Sequence, residues 1–243
     1  PYARAVEASC GAAPSPSQPP AKREKVAALL DAAGYAGDLQ AAVERWRRDR
    51  LVPRKSIPTL ARAFIAELDA ATAVHLLPHL PPALSAVPRA NVTFLPIENA
   101  WFSGSMNYLG RARRGDGSPE YEATYELNAA LEISVPEFVQ LVAHEVEPGH
   151  VTTFAFLQQL YWSGAAGFEA SVPTMNTRAA TLSEGIANNA ILIAHGVTEI
   201  ADLGDPDLEL GLLLALLQDD AKNQASWLTW QEGWPQEEVA AVL

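Results

Sequence analysis

The run SVPEFVQLVAHEVEPGH, residues 134–150, constrains the fold more than any other stretch, because it holds a helix start, an apolar helical body and an enforced stop. Ser134 followed three residues later by Glu137 is a capping box, in which the two side chains satisfy amides left free in a first helical turn. Phe138, Leu141, Val142 and Val146 then make most of the helix surface apolar, so the helix has to lie within a core. The stop comes at Pro148. It has no amide proton for the carbonyl of His144, its ring clashes with that carbonyl, and it disfavours helical angles at Glu147. Gly149 permits backbone angles that other residues resist. A buried helix must therefore break and turn between His144 and His150.

Around this run the hydrophobic period changes twice. KREKVAALLDAAGY, DLQAAVERWRRDRL and IPTLARAFIAELDAA place apolar residues at helical spacing and end at glycine or near proline. From Asn91 the pattern shortens: NVTFLPIE is rich in strand formers, and YEATYELN alternates Tyr121, Ala123, Tyr125 and Leu127 against polar residues. RRGDGSP between them supplies a turn. After Ser134 the chain returns to helices, expected over about Val135 to the proline break, Val151 to Trp162, Leu182 to Ala194, and beyond Pro206, where Asp205 is placed to cap. The expected fold is mainly α with a small β-sheet, an α+β chain. Its expected parts are a flexible Pro-rich segment over residues 1–20 that includes GAAPSPSQPP, a helical region over 21–90, and a region over 91–243 carrying the motif.

Composition narrows the partners. Of 243 residues 49% are apolar, enough for a sizeable core, and the net charge of −12 argues against nucleic acid or an anionic membrane, both of which select clustered cations. The richest apolar run, LGLLLALL, is too short to span a bilayer and reads as a buried helix. A single cysteine excludes an internal disulfide framework, and no apolar leader follows Arg4, so a cytoplasmic location is expected. The start at Pro1 and the stop inside EEVAAVL read as a segment of a longer protein.

His144-Glu145 opens like the zinc peptidase motif H-E-x-x-H, but Pro148 stands where the second histidine belongs. In an unbroken helix His150, six residues on, would point about 120° away from His144. The Pro148–Gly149 break can bring it back. A plainer reading stays open, in which the histidines are hydrogen-bonded core residues at a helix stop. Glu147 and His150 also spell E-x-x-H, but a di-iron site needs a second copy, and His75, His79 and His195 lack a glutamate three residues earlier. His75 and His79 are spaced as helical ligands, yet Pro78 and its neighbouring prolines suit a loop or helix end. Glu184 in TLSEGIANNAILIAHG offers a third metal ligand, with the alternative that Thr181 and Glu184 form a capping box.

Taken together, HEVEPGH and the downstream SEGIA resemble a bacterial family of zincin-like proteins related to the helical zinc carboxypeptidases of the Taq type. That family carries H-E-x-x-P-G-H followed by an E-G-x-A helix. WFSGSMNYLG before the motif also resembles the family's aromatic-rich strand and loop, and the likeness runs from about Asn91 to His195. It implies a zincin-like helical metallopeptidase architecture, Zn2+ as cofactor, His144, His150 and Glu184 as its ligands, Glu145 as general base, and a peptide as substrate. The chain departs at two positions: many relatives have a histidine directly after the motif and an aromatic residue within it, where this sequence has Val151 and Glu147. It also looks shorter than relatives at one or both ends.

Peptide hydrolysis would further need a donor for the developing oxyanion, and Tyr108 is the candidate, with an aromatic core role as its alternative. YEATYELN could border a cleft for an extended peptide or serve as an ordinary strand. Two other function classes remain: a non-catalytic binding or assembly module, and a zinc hydrolase of non-peptide amides.

Overall fold

The computed structural model describes residues 2–11, 20–97, 100, 103–110, 112–128, 130, 132–171 and 177–243. Most of the Pro-rich stretch, Trp101 and Phe102 of WFSGSMNYLG, and Met175 and Asn176 lie outside the described residues. The chain is mainly α-helical with one small sheet, as the alternating periods imply.

Five helices come first: α1 (Tyr2–Cys10), α2 (Pro20–Ala32), α3 (Leu39–Asp49), α4 (Ile57–His75) and the short α5 (Pro82–Ser85). The strands β1 (Asn91–Ile97), β2 (Gly104–Tyr108) and β3 (Glu122–Asn128) follow. They form a sheet in the order β1-β3-β2, with β1 parallel and β2 antiparallel to β3. β2 and β3 are joined through the RRGDGSP turn, in which Gly117 takes a positive φ of 83° and Asp116 accepts hydrogen bonds from the amide and hydroxyl of Ser118. The alternation read from the sequence holds. Tyr121, Ala123, Tyr125 and Leu127 are buried on one face, which the next helices cover.

Those helices are α6 (Val135–Glu145), α7 (His150–Trp162), α8 (Arg178–Asn188), α9 (Ala190–His195), α10 (Pro206–Trp227) and α11 (Gln236–Val242). The single helix expected from Leu182 to Ala194 is two. It starts earlier, at Arg178, and breaks at Asn189, whose side chain donates to the carbonyl of Gly185 at 2.8 Å and competes with the helical ladder there.

The main core joins α4, the buried sheet face, α6, α7 and α9, with Phe138, Val142, Ala143 and Val146 of the motif helix fully buried in it. A second core sets Val26, Leu30, Ala42 and Trp46 against Leu210, Leu213 and Leu214, so LGLLLALL is the buried helix its composition implied. α10 starts as expected, with the Asp205 side chain accepting from the amides of Asp207 and Leu208. It lies directly on the start of α6: a Cβ added at Gly211 would stand 2.7 Å from the Pro136 side chain. Arg47 of α3 reaches the same turn with two nitrogens on the Glu137 carboxylate, at 3.0 and 2.6 Å for Oε1. The helix that carries the motif is thus held from both sides at its N-terminus.

Candidate metal centre

The motif helix begins at Ser134, whose hydroxyl accepts from the amide of Glu137 and donates to its carboxylate at 2.6 Å. Glu137 turns its carboxylate to that hydroxyl and to Arg47, so the cap is present with an altered reciprocal half. The helix ends at Glu145, and α7 starts five residues later. The Glu147–Pro148 peptide is cis. The Gly149 amide reaches back to the carbonyl of Ala143 at 3.0 Å, and Thr152 bonds the carbonyl of Val146 through both its amide and its hydroxyl. Gly149 is pressed against the end of α6 so closely that an added Cβ would lie 1.9 Å from the carbonyl oxygen of His144. That contact alone leaves no room for a side chain at the glycine of PGH.

This turn returns His150 to His144. The two rings stand edge to face, with centroids 4.8 Å apart. Glu184 arrives from α8 with its carboxylate between them, Oε2 at 3.5 Å from His144 Nε2 and Oε1 at 3.3 Å from His150 Nε2. The three ligand atoms lie within 4.8 Å of one another. Zinc bonds of about 2.0–2.2 Å in a tetrahedron put donors roughly 3.4 Å apart, and each histidine stands at about that distance from its own oxygen of the Glu184 carboxylate. Two neutral nitrogens and one carboxylate are also a donor set that zinc accepts in open sites.

The capping alternative for Glu184 does not hold. Thr177 is the N-cap of α8, accepting from the amide of Ala180, and Thr181 lies inside the helix with its hydroxyl donating to the carbonyl of Thr177. Glu184 is therefore a turn and a half into the helix and free to face the histidines. They hold its carboxyl far below the usual carboxylate range, chiefly through hydrogen bonds that outweigh its partial burial. His144 is the counterpart: burial works to lower its pKa, but bonding to Glu184 and the nearby Glu145 charge raise it overall.

Two residues that the sequence did not mark stand beside the histidines. His150 Nδ1 meets the Ser183 hydroxyl at 3.1 Å, and the Asn188 side chain lies near His144 and favours its protonated form. Both lie on α8, one residue before Glu184 and one helical turn after it. A fixed partner on the second ring nitrogen sets tautomer and ring orientation for a metal. The signal was spacing alone, a polar residue four beyond the candidate ligand.

Glu145 sits beside His144 and near the backbone amide of Met106 in β2, and its carboxyl is raised by burial, partly offset by the two histidines. It borders a cavity of about 480 Å³ together with His144, Gln140 and Asn188, with Arg47 and Lys222 also in its wall. Tyr108, by contrast, donates its hydroxyl to Gln158 Oε1 and stacks on Phe154, with centroids 6.1 Å apart. Burial raises its pKa far above that of a free phenol. Tyr108 stands in the packing behind His150, through Phe154.

The two departures from the family pattern are both inward-facing. Val151 is 1% exposed and belongs to the main core. Glu147 is 4% exposed, accepts from the Thr152 hydroxyl at 2.5 Å, and has its pKa pushed up to about 7 by burial. His75 ends α4, His79 lies in a 3-10 turn, and His195 ends α9; none joins the cluster.

No family model matches the chain, and no curated protein matches it. Among solved structures the fold is similar to that of "the putative lipoprotein from Colwellia psychrerythraea", with a TM-score of 0.70 at 18% identity. The alignment covers 99% of this chain and 41% of that one, so the chain spans less than half the length of that protein. No helix among the described residues is long and apolar enough to cross a membrane.

Proposed function

We propose that this chain is a zinc-dependent hydrolase of peptide bonds, with His144, His150 and Glu184 as the metal ligands and Glu145 as general base. The observation that carries the reading is the convergence of two imidazole Nε2 atoms on one carboxylate at 3.5 and 3.3 Å, with Ser183 already on the second nitrogen of His150. Three protein ligands leave a fourth position open, which distinguishes a catalytic from a structural zinc site. When bound there, zinc supplies a nucleophile at neutral pH and polarises a carbonyl. The chain's own groups do the rest. Ser183 keeps the His150 Nε2 aimed inward. Glu145, next in sequence to a ligand but projecting towards the cavity wall, takes the proton of the attacking water and delivers it to the leaving nitrogen. Burial favours that role, because it brings a carboxylate closer to the working pH as a proton acceptor and donor. The cavity beside it receives the substrate, where Gln140 and Asn188 offer carboxamides for the peptide main chain.

Resemblance of HEVEPGH and SEGIA to the Taq-type carboxypeptidase relatives supports peptides as the substrate class. The single cysteine supports a cytoplasmic location, which fractionation of the full-length protein checks. The test of activity is Glu145→Gln assayed against a peptide library: the variant keeps its zinc and loses cleavage. Zinc-loaded wild-type protein that cleaves no peptide would instead favour a non-catalytic binding module, and cleavage of simple amides alone would favour a non-peptide amidohydrolase.

A further inference from the structure

On the side of the sheet away from β2, and so away from Glu145, β1 is an edge strand, and α4 does not fully cover its core-facing residues. Two cavities open there, one of about 320 Å³ and one of about 410 Å³, and they share Arg62 and Phe94 as a common wall. The first adds Arg54 and an apolar floor of Ile57, Pro96 and Leu127; the second adds Arg89. Together they form a groove along β1 from Asn91 to Pro96, roughly 17 Å at the rise of an extended strand.

The charge of this groove is opposite to that of the molecule. The chain carries −12 overall, yet among the described residues no acidic side chain lines either cavity, and three arginines do. Arg89 pairs with Asp69 at 3.1 Å. Arg54 and Arg62 have no carboxylate partner among the described residues: Arg54 reaches only the carbonyl of Ala130 at 3.5 Å, and Arg62 the carbonyl of Pro58 at 3.3 Å. The Arg62 guanidinium lies over the Phe94 ring, 4.9 Å from its centroid, which fixes it between the two cavities. Guanidinium groups left without carboxylates and set beside apolar hollows are suited to bidentate recognition of carboxylates. Pro96 removes an amide from the exposed edge, so an incoming chain is recognised by side chains more than by strand pairing.

We propose that this groove binds an extended acidic peptide segment, with carboxylates on Arg54 and Arg62 and an apolar side chain seated in the smaller cavity between them. The length fits five or six extended residues, in which alternate side chains face the groove. This is a site separate from the metal centre, and it stands whether or not the chain hydrolyses peptides.

The test is fluorescence anisotropy with a hexapeptide carrying glutamate, leucine and glutamate at positions 1, 3 and 5 with serine between them, so that all three face the groove, capped at both ends, bearing an uncharged dye, and titrated with full-length Glu145→Gln protein so that the probe is not cut. Saturable binding is expected, weakened at least about tenfold in Arg54→Gln/Arg62→Gln and again on raising salt from about 0.05 to 0.5 M. Arg54→Gln alone, at an exposed side chain that makes one long contact, should weaken binding by about threefold without touching the fold. Arg47→Gln, in the wall of the other cavity, should leave it unchanged. Equal binding of the same peptide with glutamine for both glutamates, equal binding to the double variant, or no binding at millimolar peptide would overturn the proposal. So would competition by 4-phenylbutyrate at the peptide's own affinity, which would make the groove a site for small organic acids.

Discussion

Replacing Gly149 with alanine tests how closely the motif turn is packed against the end of α6. The new methyl would stand 1.9 Å from the carbonyl oxygen of His144 and 2.4 Å from that of Ala143, where side-chain carbons essentially never come within 3.0 Å of such atoms. The end of α6 and the start of α7 must therefore part by about an ångström, and the atoms that would have to move are backbone, not a flexible side chain. Overpacking in a filled interior costs roughly 1–3 kcal/mol, and a backbone clash beside a fully buried helix belongs at or above the upper end. The same displacement separates His144 from His150, and a ligand set tolerates only about 0.5 Å before it loosens. Gly149→Ala should lower the urea unfolding free energy by about 3 kcal/mol and weaken zinc binding by about a hundredfold, read by competition with a chromophoric chelator. Gly185, the glycine of SEGIA, is the internal comparison, because a Cβ there meets nothing within 4 Å. Gly185→Ala should stabilise by up to about 1 kcal/mol through helix propensity and leave zinc affinity intact. If the two alanine variants behave alike, the contact argument is wrong.

Glu147 makes stability depend on pH. Burial, reinforced by Asp69 and opposed by the Thr152 hydroxyl and Arg89, raises its pKa from 4.5 to about 7, so the folded state keeps a proton that the unfolded chain releases. Its contribution is full below pH 4.5 and is lost as pH climbs through 7, by about 3 kcal/mol in all. Metal-free Glu147→Gln should gain stability over wild type by that amount between pH 5 and 8 in urea titrations, and a pH-independent difference would contradict the assignment. Ser183→Ala, which removes the partner on His150 Nδ1, should weaken zinc binding about 10–100-fold with little change in folding. Breaking the half-exposed Arg47–Glu137 pair with Arg47→Gln should cost under about 1 kcal/mol, because solvent screens it.

The fold was legible where period and punctuation agree. The Ser134 cap, the Asp205–Pro206 start, the buried face of YEATYELN and the apolar body of α10 all follow from rules that act within a few residues. The sheet order was not, since the parallel pairing of β1 with β3 depends on contacts between distant strands. Asn189 ended α8 through a side-chain bond that competes locally with the helix, which hydrophobic spacing cannot register. At the candidate site, the proline and glycine announced a break, but its direction did not follow from either residue. The return of His150 rests on the packing of Gly149 against His144, visible only in three dimensions. Glu184 remained ambiguous between ligand and cap until Thr177 was seen to cap α8. Ser183 acts through the histidine it touches, and no single-residue pattern marks such a role.

The central claim, that His144, His150 and Glu184 form one zinc site, is tested most directly by metal analysis of protein purified without chelator and dialysed against zinc, alongside His150→Ala and Glu184→Gln. The account predicts about one zinc per wild-type chain and far less in both variants, with each variant still folded by circular dichroism. Absence of zinc from the wild type, or full occupancy in His150→Ala, would contradict it.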